Sequence, residues 1–236
     1  MSANACCPIV ELRQYTLHPG GRDTLIELFE REFIESQEAL GMRIIGTFRD
    51  LNNPDRFVWL RGFDDMESRA LQLQQFYRGP VWMQHRDSAN ATMIDSDNVL
   101  LLRPAAPNSG FDLTGVTRPV SGATSGAPGV IAAGIYYLAH GSETEFVRFF
   151  LDAVAPTLIE NGVKSTASFV TEHYPNTFPA LPVREDANVF VWFTRLTGNT
   201  TGEALLDDVS SRIRDRIERE PELLRLEPTS RSLLRA

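Results

Sequence analysis

Three side chains that could recognise a charged molecule stand at alternate positions near the start of the sequence: Glu11, Arg13 and Tyr15. Alternate residues of a β-strand share one face of its sheet, so a strand here would bring a carboxylate, a guanidinium and a phenol together. Arg13 would then anchor an anionic or carbonyl ligand, and Tyr15 would donate a hydrogen bond to it. The alternative is an internal ion pair that only stabilises the fold, which is the commoner role of such a group.

Aromatic residues and a histidine form a second group of candidates around the helix-breaking pair Gly79-Pro80. Tyr77, Trp82 and His85 could line the mouth of a ligand pocket at this break. An imidazole titrates near neutral pH, so His85 could act there as an acid or a base. The alternative, which the pattern favours, is a kinked helix that packs on the sheet and leaves His85 on its solvent side.

Two tryptophans, Trp59 and Trp192, occupy matching positions in the two halves of the chain. They could form the aromatic walls of a cavity, or simply belong to the core. No histidine or cysteine pair has zinc-ligand spacing, and the phosphate-binding, dinucleotide-binding and common hydrolase motifs do not occur in the sequence. We therefore predict no metal ion and no cofactor. A single histidine bound to haem is the remaining alternative, which a visible absorption spectrum would reveal.

The two halves of the sequence align with each other. Phe57-Val58-Trp59 recurs as Phe190-Val191-Trp192. Tyr15 aligns with Tyr136 at an offset of 121 residues, and residues 41–48 align with residues 162–169 at the same offset. Several matches in the same order predict a tandem repeat.

Each half has the pattern strand, helix, strand, strand, helix, strand, which is the ferredoxin-like βαββαβ unit. We assign residues 8–104 to the first unit and residues 129–236 to a second, diverged unit. Residues 105–128 are rich in Pro, Gly, Ser and Thr and lack hydrophobic periodicity. This composition predicts a flexible linker, which is long enough that it should either run along the surface or be mobile. The expected fold class is α+β.

One face of each sheet would lie under its helices, and the other face must also be covered. Aromatic residues at alternate strand positions make both faces too apolar for water: Tyr15, Phe57, Trp59, Tyr136, Phe190 and Trp192. We expect the two bare faces to pack sheet to sheet. These aromatics, together with Glu11 and Arg13, would then lie in the space between the sheets.

Residues 11–20, Glu-Leu-Arg-Gln-Tyr-Thr-Leu-His-Pro-Gly, resemble the E-x-R-x-Y-x-L-x-P-G opening of the NIPSNAP family. The segment from Trp59 through Asp64 to Arg69, and Pro80 with Trp82, are similar to further blocks of that family. The resemblance covers roughly residues 9–104. The second unit departs from the pattern, because Ala132 and Gly134 stand where the opening has Glu and Arg.

The resemblance implies the fold of a dimeric α/β barrel, formed here within one chain. Proteins of this fold include cofactor-free monooxygenases, haem-binding enzymes and small stress proteins. The family itself is of unsettled biochemical role, with vesicle-related and mitochondrial roles proposed for its animal members. Fold analogy alone does not transfer chemistry.

Charge and composition restrict the partners. The net charge is −8 and no Lys/Arg run is present, so nucleic acid and an anionic membrane surface are not expected partners. No apolar run approaches the roughly 20 residues that span a bilayer. The beginning of the sequence lacks the features of a signal peptide, and only Cys6 and Cys7 carry thiols, so we expect a cytoplasmic protein without disulfides.

Two functional hypotheses stay open. The first is a NIPSNAP-like protein that binds a small ligand or a partner through its barrel. The second is a cofactor-independent enzyme of the monooxygenase or isomerase type that works in the barrel cavity, with Arg13, Tyr15 and His85 as its polar groups. Ferredoxin-like units leave exposed sheet edges, so we also expect a homo-oligomer.

Overall fold

The computed structural model describes residues 6–122, 129–160, 165–196 and 202–235. Its eight strands, in chain order, are β1 (Ile9–Leu17), β2 (Arg43–Asp50), β3 (Arg56–Phe63), β4 (Met93–Pro104), β5 (Val130–Tyr137), β6 (Ser165–Thr171), β7 (Val189–Leu196) and β8 (Glu222–Pro228). The pattern of the sequence predicts strands at Ile9–Leu17 and Arg56–Phe63, and both are confirmed. It also predicts a strand at residues 163–171, of which residues 163 and 164 lie outside the described residues.

The strands form one closed antiparallel barrel in the order β1-β3-β2-β8-β5-β7-β6-β4. Within it, the first unit contributes β4-β1-β3-β2 and the second contributes β8-β5-β7-β6, which is the ferredoxin-like order in both. Two pairings between the units close the barrel. Strand β2 pairs with β8 from Phe48 to Asp50, and β4 pairs with β6 from Leu102 to Pro104. The predicted intramolecular α/β barrel is confirmed.

Helices cover the outside of the barrel. They are α1 (Arg22–Leu28), α2 (Ile34–Glu38), α3 (Met66–Tyr77), α4 (Pro80–Asn90), α5 (Glu143–Phe149), α6 (Ala155–Glu160) and α7 (Gly202–Ile213), which a 3₁₀ turn (Arg214–Arg216) extends. A π-helical turn joins α1 to α2 at Phe29–Phe33, and another joins α5 to α6 at Phe150–Val154. These turns stand 121 residues apart, the offset that aligns the two units.

The two faces of each sheet have different roles from those expected. Aliphatic side chains at alternate positions, such as Val10, Leu12 and Leu60, fill the barrel interior. The large aromatics of the other face, such as Trp59 in the first unit and Trp192 in the second, pack beneath the helices. The prediction that these aromatics lie between the sheets is therefore wrong. Both faces are apolar, so alternation alone did not distinguish the inside of the barrel from the helix side.

Residues 105–122 contribute to the barrel core. Phe111 and Leu113 are buried in the interior cluster. The Phe111 ring packs on Phe169 and Phe193, with ring centroids 5.0 and 5.1 Å apart. The expectation that the whole segment runs along the surface is therefore wrong, because two apolar side chains anchor it inside the barrel. Residues 123–128 lie outside the described residues, so the flexible linker of residues 105–128 stays a prediction there.

Closing the barrel changes the argument for self-association. Every strand of the described sheet has a neighbour on each side, so the barrel has no free edge among these residues. The strand edges that were expected to pair with another copy of the protein pair with each other inside this chain. Within the same residues, no helix is both long and apolar enough to span a bilayer.

Candidate functional site

Odd-numbered residues of β1 point away from the barrel interior, toward the helices of the first unit. Tyr15 packs with the cluster beneath these helices, and Glu11 and Arg13 are fully buried on the same face. The three side chains do come together as the alternation predicts. Their expected position between the sheets is corrected, because Val10 and Leu12 fill the barrel instead.

Glu11 binds three arginines. Its Oε2 accepts from Arg13 Nη1 at 2.9 Å and from Arg61 Nη2 at 2.6 Å, and its Oε1 accepts from Arg69 Nε at 2.7 Å. All four side chains are completely buried. Three guanidinium groups and one carboxylate leave this arginine cluster with a formal charge of +2. A buried ion pair is common in proteins, but an excess of two buried positive charges is expensive without further partners.

Two arginines of the cluster, Arg61 and Arg69, also donate hydrogen bonds to neutral side chains. Gln37 Oε1 accepts from Arg61 Nη1 at 2.8 Å. Arg69 Nη1 donates to Asn176 Oδ1 at 3.0 Å and to Thr177 Oγ1 at 3.2 Å. These partners are neutral, so they stabilise the guanidinium groups without reducing the charge of the cluster.

The sequence predictions did not include Arg61 and Arg69, which bind Glu11 together with Arg13. Arg61 stands opposite Glu11 in the β1–β3 register, and it shares a face with Trp59 two positions earlier on the strand. This alternation could have identified Arg61 from the sequence. Arg69 lies on α3 in a block that resembles the family pattern, but nothing in its local sequence indicates that it contacts β1.

The arginine cluster controls the ionisation of Glu11. Burial would raise the pKa of this carboxyl, but Arg61, Arg13 and Arg69 outweigh burial and hold the pKa well below its usual range. Burial also raises the pKa of Tyr15, although Arg13 opposes that change, so Tyr15 stays a neutral phenol at physiological pH.

The ionisation of Glu11 predicts how stability changes with pH. The carboxyl stays ionised in the folded protein, whereas in the unfolded chain it takes up a proton near its ordinary pKa of 4.5. The unfolding free energy therefore falls as pH decreases below that value. In a ¹³C NMR titration, the Glu11 carboxyl signal should stay unchanged from about pH 6 to pH 3, while exposed glutamates titrate near their ordinary pKa. A midpoint for Glu11 in that range would contradict the cluster.

Two adjoining cavities lie beside the arginine cluster, between the sheet and helices α3 and α4. Tyr15, Tyr77, Trp82 and Met93 line both. The outer cavity has a volume of about 310 Å³. The inner cavity measures about 30 Å³, which is room for about one or two water molecules. Trp59 and Gln37 line the inner cavity but not the outer one.

The second unit supplies one wall of the outer cavity. The connection between β6 and β7, residues 172–188, reaches across to the first unit and contributes Phe178, Ala180 and Leu181 to the lining. The Phe178 ring stacks on Tyr77 at 5.9 Å with an interplanar angle of 20°. The connection contains Pro175, Pro179 and Pro182 and is longer than the matching turn between β2 and β3 of the first unit. The pocket therefore needs both units, although the arginine cluster beside it belongs to the first.

The predicted site residues separate into three groups. Tyr15, Trp59, Tyr77 and Trp82 line the cavities, and Glu11 and Arg13 lie behind them in the arginine cluster. His85 does not line either cavity; its ring lies 6.4 Å from Phe33, and its Nε2 is 3.6 Å from Glu32 Oε2. Trp192 lies beneath the helices of the second unit and accordingly takes no part in this pocket.

A separate cavity of about 270 Å³ lies near one end of the barrel, beside Glu172, His173 and Arg184. It contacts none of the predicted site residues. Across the described ranges, no group of three or more His, Cys, Asp or Glu side chains has the arrangement that a metal ion requires.

Comparison with known proteins places the fold. The NIPSNAP family model matches residues 10–107. No protein with a curated description matches the sequence. Over 94% of each chain, the structure is similar to a monooxygenase candidate from Lactobacillus acidophilus NCFM, with a TM-score of 0.54 and 13% identity. It is also similar to an anthrone oxidase-like protein, with a TM-score of 0.54 and 10% identity, covering 97% of this chain and 94% of the other.

A NIPSNAP-domain protein from Burkholderia xenovorans is 20% identical over 42% of this chain and 95% of its own, with a TM-score of 0.39. At these identities, the two structures that cover nearly the whole chain show a shared barrel fold and nothing about chemistry. The family match spans the first unit, including the Glu11, Arg13 and Tyr15 opening and the residues that line the pocket on its side. The resemblance to the NIPSNAP family is therefore confirmed for residues 10–107, which contain nearly all of the first unit.

Proposed function

We propose that this protein binds a small, mainly apolar molecule in the outer cavity of its first unit. The observation that carries the proposal is the cavity itself. Its volume of about 310 Å³ falls in the range of about 300–1,000 Å³ that is typical of ligand pockets. Aromatic and aliphatic side chains form most of its wall, and the arginine cluster lies behind one end.

The composition of the wall indicates the shape of the ligand. Tyr77, Trp82 and Phe178 present ring surfaces, and Met93 and Leu181 complete the apolar lining. Flat rings and a thioether favour a planar or aromatic body, because ring contacts add to the gain from apolar burial. Asn90 and Ser96 stand at the same cavity and supply a small polar edge.

Binding of a neutral apolar fluorophore, N-phenyl-1-naphthylamine, tests the proposal. We expect one molecule bound per chain, with increased fluorescence. Phe178→Ala should weaken binding by about tenfold or more, because burial of a phenyl ring contributes roughly 1.5–3 kcal/mol. Phe178 is only half-buried, so its loss should leave the fold intact.

Tyr174→Ala is the matched control for Phe178→Ala. Tyr174 lies in the same connection between the strands, is 57% exposed and does not line the outer cavity. Its loss should leave the affinity of the fluorophore unchanged. Equal loss in both variants would place binding elsewhere, and absence of binding to the unaltered protein would contradict the proposal.

Catalysis stays the alternative to simple binding. Of the three polar groups that the sequence suggested for an enzyme, Arg13 is committed to Glu11 and Tyr15. His85 lines neither cavity. Tyr15 alone faces the cavity, and burial raises its pKa, which makes it a donor and not a base at neutral pH. This arrangement favours binding over acid–base chemistry.

Three further expectations belong with this proposal. Matching π turns 121 residues apart support an origin of both units from one ancestral copy. A cytoplasmic location stays an expectation. A homo-oligomer was expected because of exposed sheet edges, and the closed barrel removes that argument. Light scattering after size exclusion would determine the oligomeric state.

A further inference from the structure

Two of the residues that line the inner cavity, Trp59 and Tyr15, carry hydrogen-bond donors without matching acceptors. Trp59 is buried, and its indole Nε1 has no hydrogen-bond partner in the described part of the chain. Tyr15 Oη accepts from Arg13 Nε at 3.0 Å, so its own proton is available to donate. The amide oxygen of Gln37 is already occupied by Arg61. An occupant of this space would therefore have to accept hydrogen bonds.

Positive charge lies directly behind this donor pair. The guanidinium carbons of Arg13 and Arg61 stand 5.4 and 4.9 Å from the Trp59 ring. The arginine cluster has a formal charge of +2, and its members are fully buried. Because buried charges are weakly screened, this field should favour a negative group in the inner cavity. One nitrogen of Arg13, Nη2, also lacks a protein partner.

The second unit has no arginine at the position that matches Arg13, and its tryptophan indole has a hydrogen-bond partner. There Trp192 Nε1 donates to Tyr136 Oη at 3.0 Å. Gly134 stands where Arg13 stands in the first unit, and a Cβ at this position would lie only 2.5 Å from Trp192 Nε1. In the second unit the phenol is thus free to satisfy the indole. In the first unit Arg13 holds the equivalent phenol, and the equivalent indole is left without a partner.

We infer that the ligand of the first unit is an aromatic or otherwise apolar acid whose anionic oxygens bind in the inner cavity, at Trp59 Nε1 and Tyr15 Oη. The apolar body then occupies the outer cavity, so this inference rests on the proposed function. A carboxylate is the simplest such group. Its negative charge would offset part of the excess of the arginine cluster without touching the cluster directly.

Paired ligands separate the contribution of charge from that of shape. We would compare 2-naphthoate with the neutral 2-naphthamide by calorimetry on the full chain. Charge-assisted hydrogen bonds are roughly twice as strong as neutral ones. We therefore expect 2-naphthoate to bind about tenfold to a hundredfold more tightly than 2-naphthamide, and its affinity to fall with added salt less than that of a surface site.

The three tryptophans allow the contact itself to be observed. Each indole N–H gives one signal in a ¹H–¹⁵N NMR spectrum, which Trp→Phe variants assign. Addition of 2-naphthoate should move the Trp59 signal strongly downfield, as expected for a new bond to an anion. The Trp192 signal should not move, since Tyr136 already accepts from that indole.

Trp59→Phe removes the indole donor and keeps an aromatic ring. It should weaken 2-naphthoate binding about tenfold or more and should change 2-naphthamide binding less than about threefold. Trp192→Phe, a similar change beneath the helices of the other unit, is the control and should leave both affinities unchanged. Where Trp59→Phe does not fold, the NMR shift in the unaltered protein still decides the matter.

The outcomes distinguish this inference from the proposed function. Equal affinity for both naphthalenes, with the Trp82 signal displaced but the Trp59 signal fixed, would keep the apolar pocket and overturn the anion site. Failure of both ligands and of the neutral fluorophore to bind would overturn the pocket as well. Tight naphthoate binding that moves only Trp192 would place the site in the second unit and overturn the inference.

Discussion

Glu11→Gln should lower the unfolding free energy by about 3–5 kcal/mol, because removal of one partner from a buried ion pair leaves the other charges uncompensated. Glutamine has nearly the same shape as glutamate, so the effect would come from charge and not from a cavity. Three arginines would then face one another with no anion among them. Such a loss is a large fraction of the roughly 5–15 kcal/mol that stabilises an ordinary domain. Urea unfolding followed by circular dichroism would measure it.

Asp23→Asn is the control for the Glu11 variant. Asp23 also pairs with an arginine, because Arg49 Nη2 donates to its carboxylate at 2.9 Å, but Asp23 is 73% exposed. Surface pairs of this kind contribute about 0–1 kcal/mol. Similar losses in both variants would show that Glu11 is not the counter-ion on which the arginine cluster depends.

Phe111→Ala should cost about 3–5 kcal/mol, since it removes a large, fully buried ring and leaves a cavity that the barrel cannot easily close. The ring packs on Phe169 and Phe193 of the second unit, although it belongs to the segment that connects the units. The backbone of Phe111 also accepts a hydrogen bond from the Cys6 amide at 2.9 Å. Because the ring is lost, the melting temperature of Phe111→Ala, measured by circular dichroism, should fall by many degrees.

Val120→Ala, in the same segment, provides the comparison for Phe111→Ala. Val120 is 76% exposed, so this change should alter stability by no more than about 0.5 kcal/mol. A Phe111 variant as stable as the Val120 variant would indicate that the segment is a loose tether and that the barrel does not need its ring.

The sequence was sufficient for the architecture. Alternating apolar residues with clear turns on both sides define β1 and β3, and the recurrence of Phe57-Val58-Trp59 in the second half gives the number of units. Local patterns of this kind depend on residues close together in the chain. The closure of the barrel follows from them once two equal sheets must cover each other's apolar faces.

The position of the candidate site depended on information that local patterns do not carry. Val58 and Trp59 are both apolar, so their polarity does not indicate which one fills the barrel and which one lies under the helices. Phe178 and Leu181 reach the pocket because β4 pairs with β6, a contact between distant parts of the chain. Of the residues that line the two cavities, the sequence predicted Tyr15, Trp59, Tyr77 and Trp82. It missed the side of the sheet on which they lie and the wall from the second unit.

Joining both units in a single chain has an evolutionary consequence. In a symmetric homodimer every substitution appears twice, so a change that improves one active surface must be tolerated by its copy. Here each half varies independently. The first half can therefore carry a costly excess of buried charge, while the second half has Ala132 and Gly134 at the matching positions and supplies packing and a rim for its neighbour.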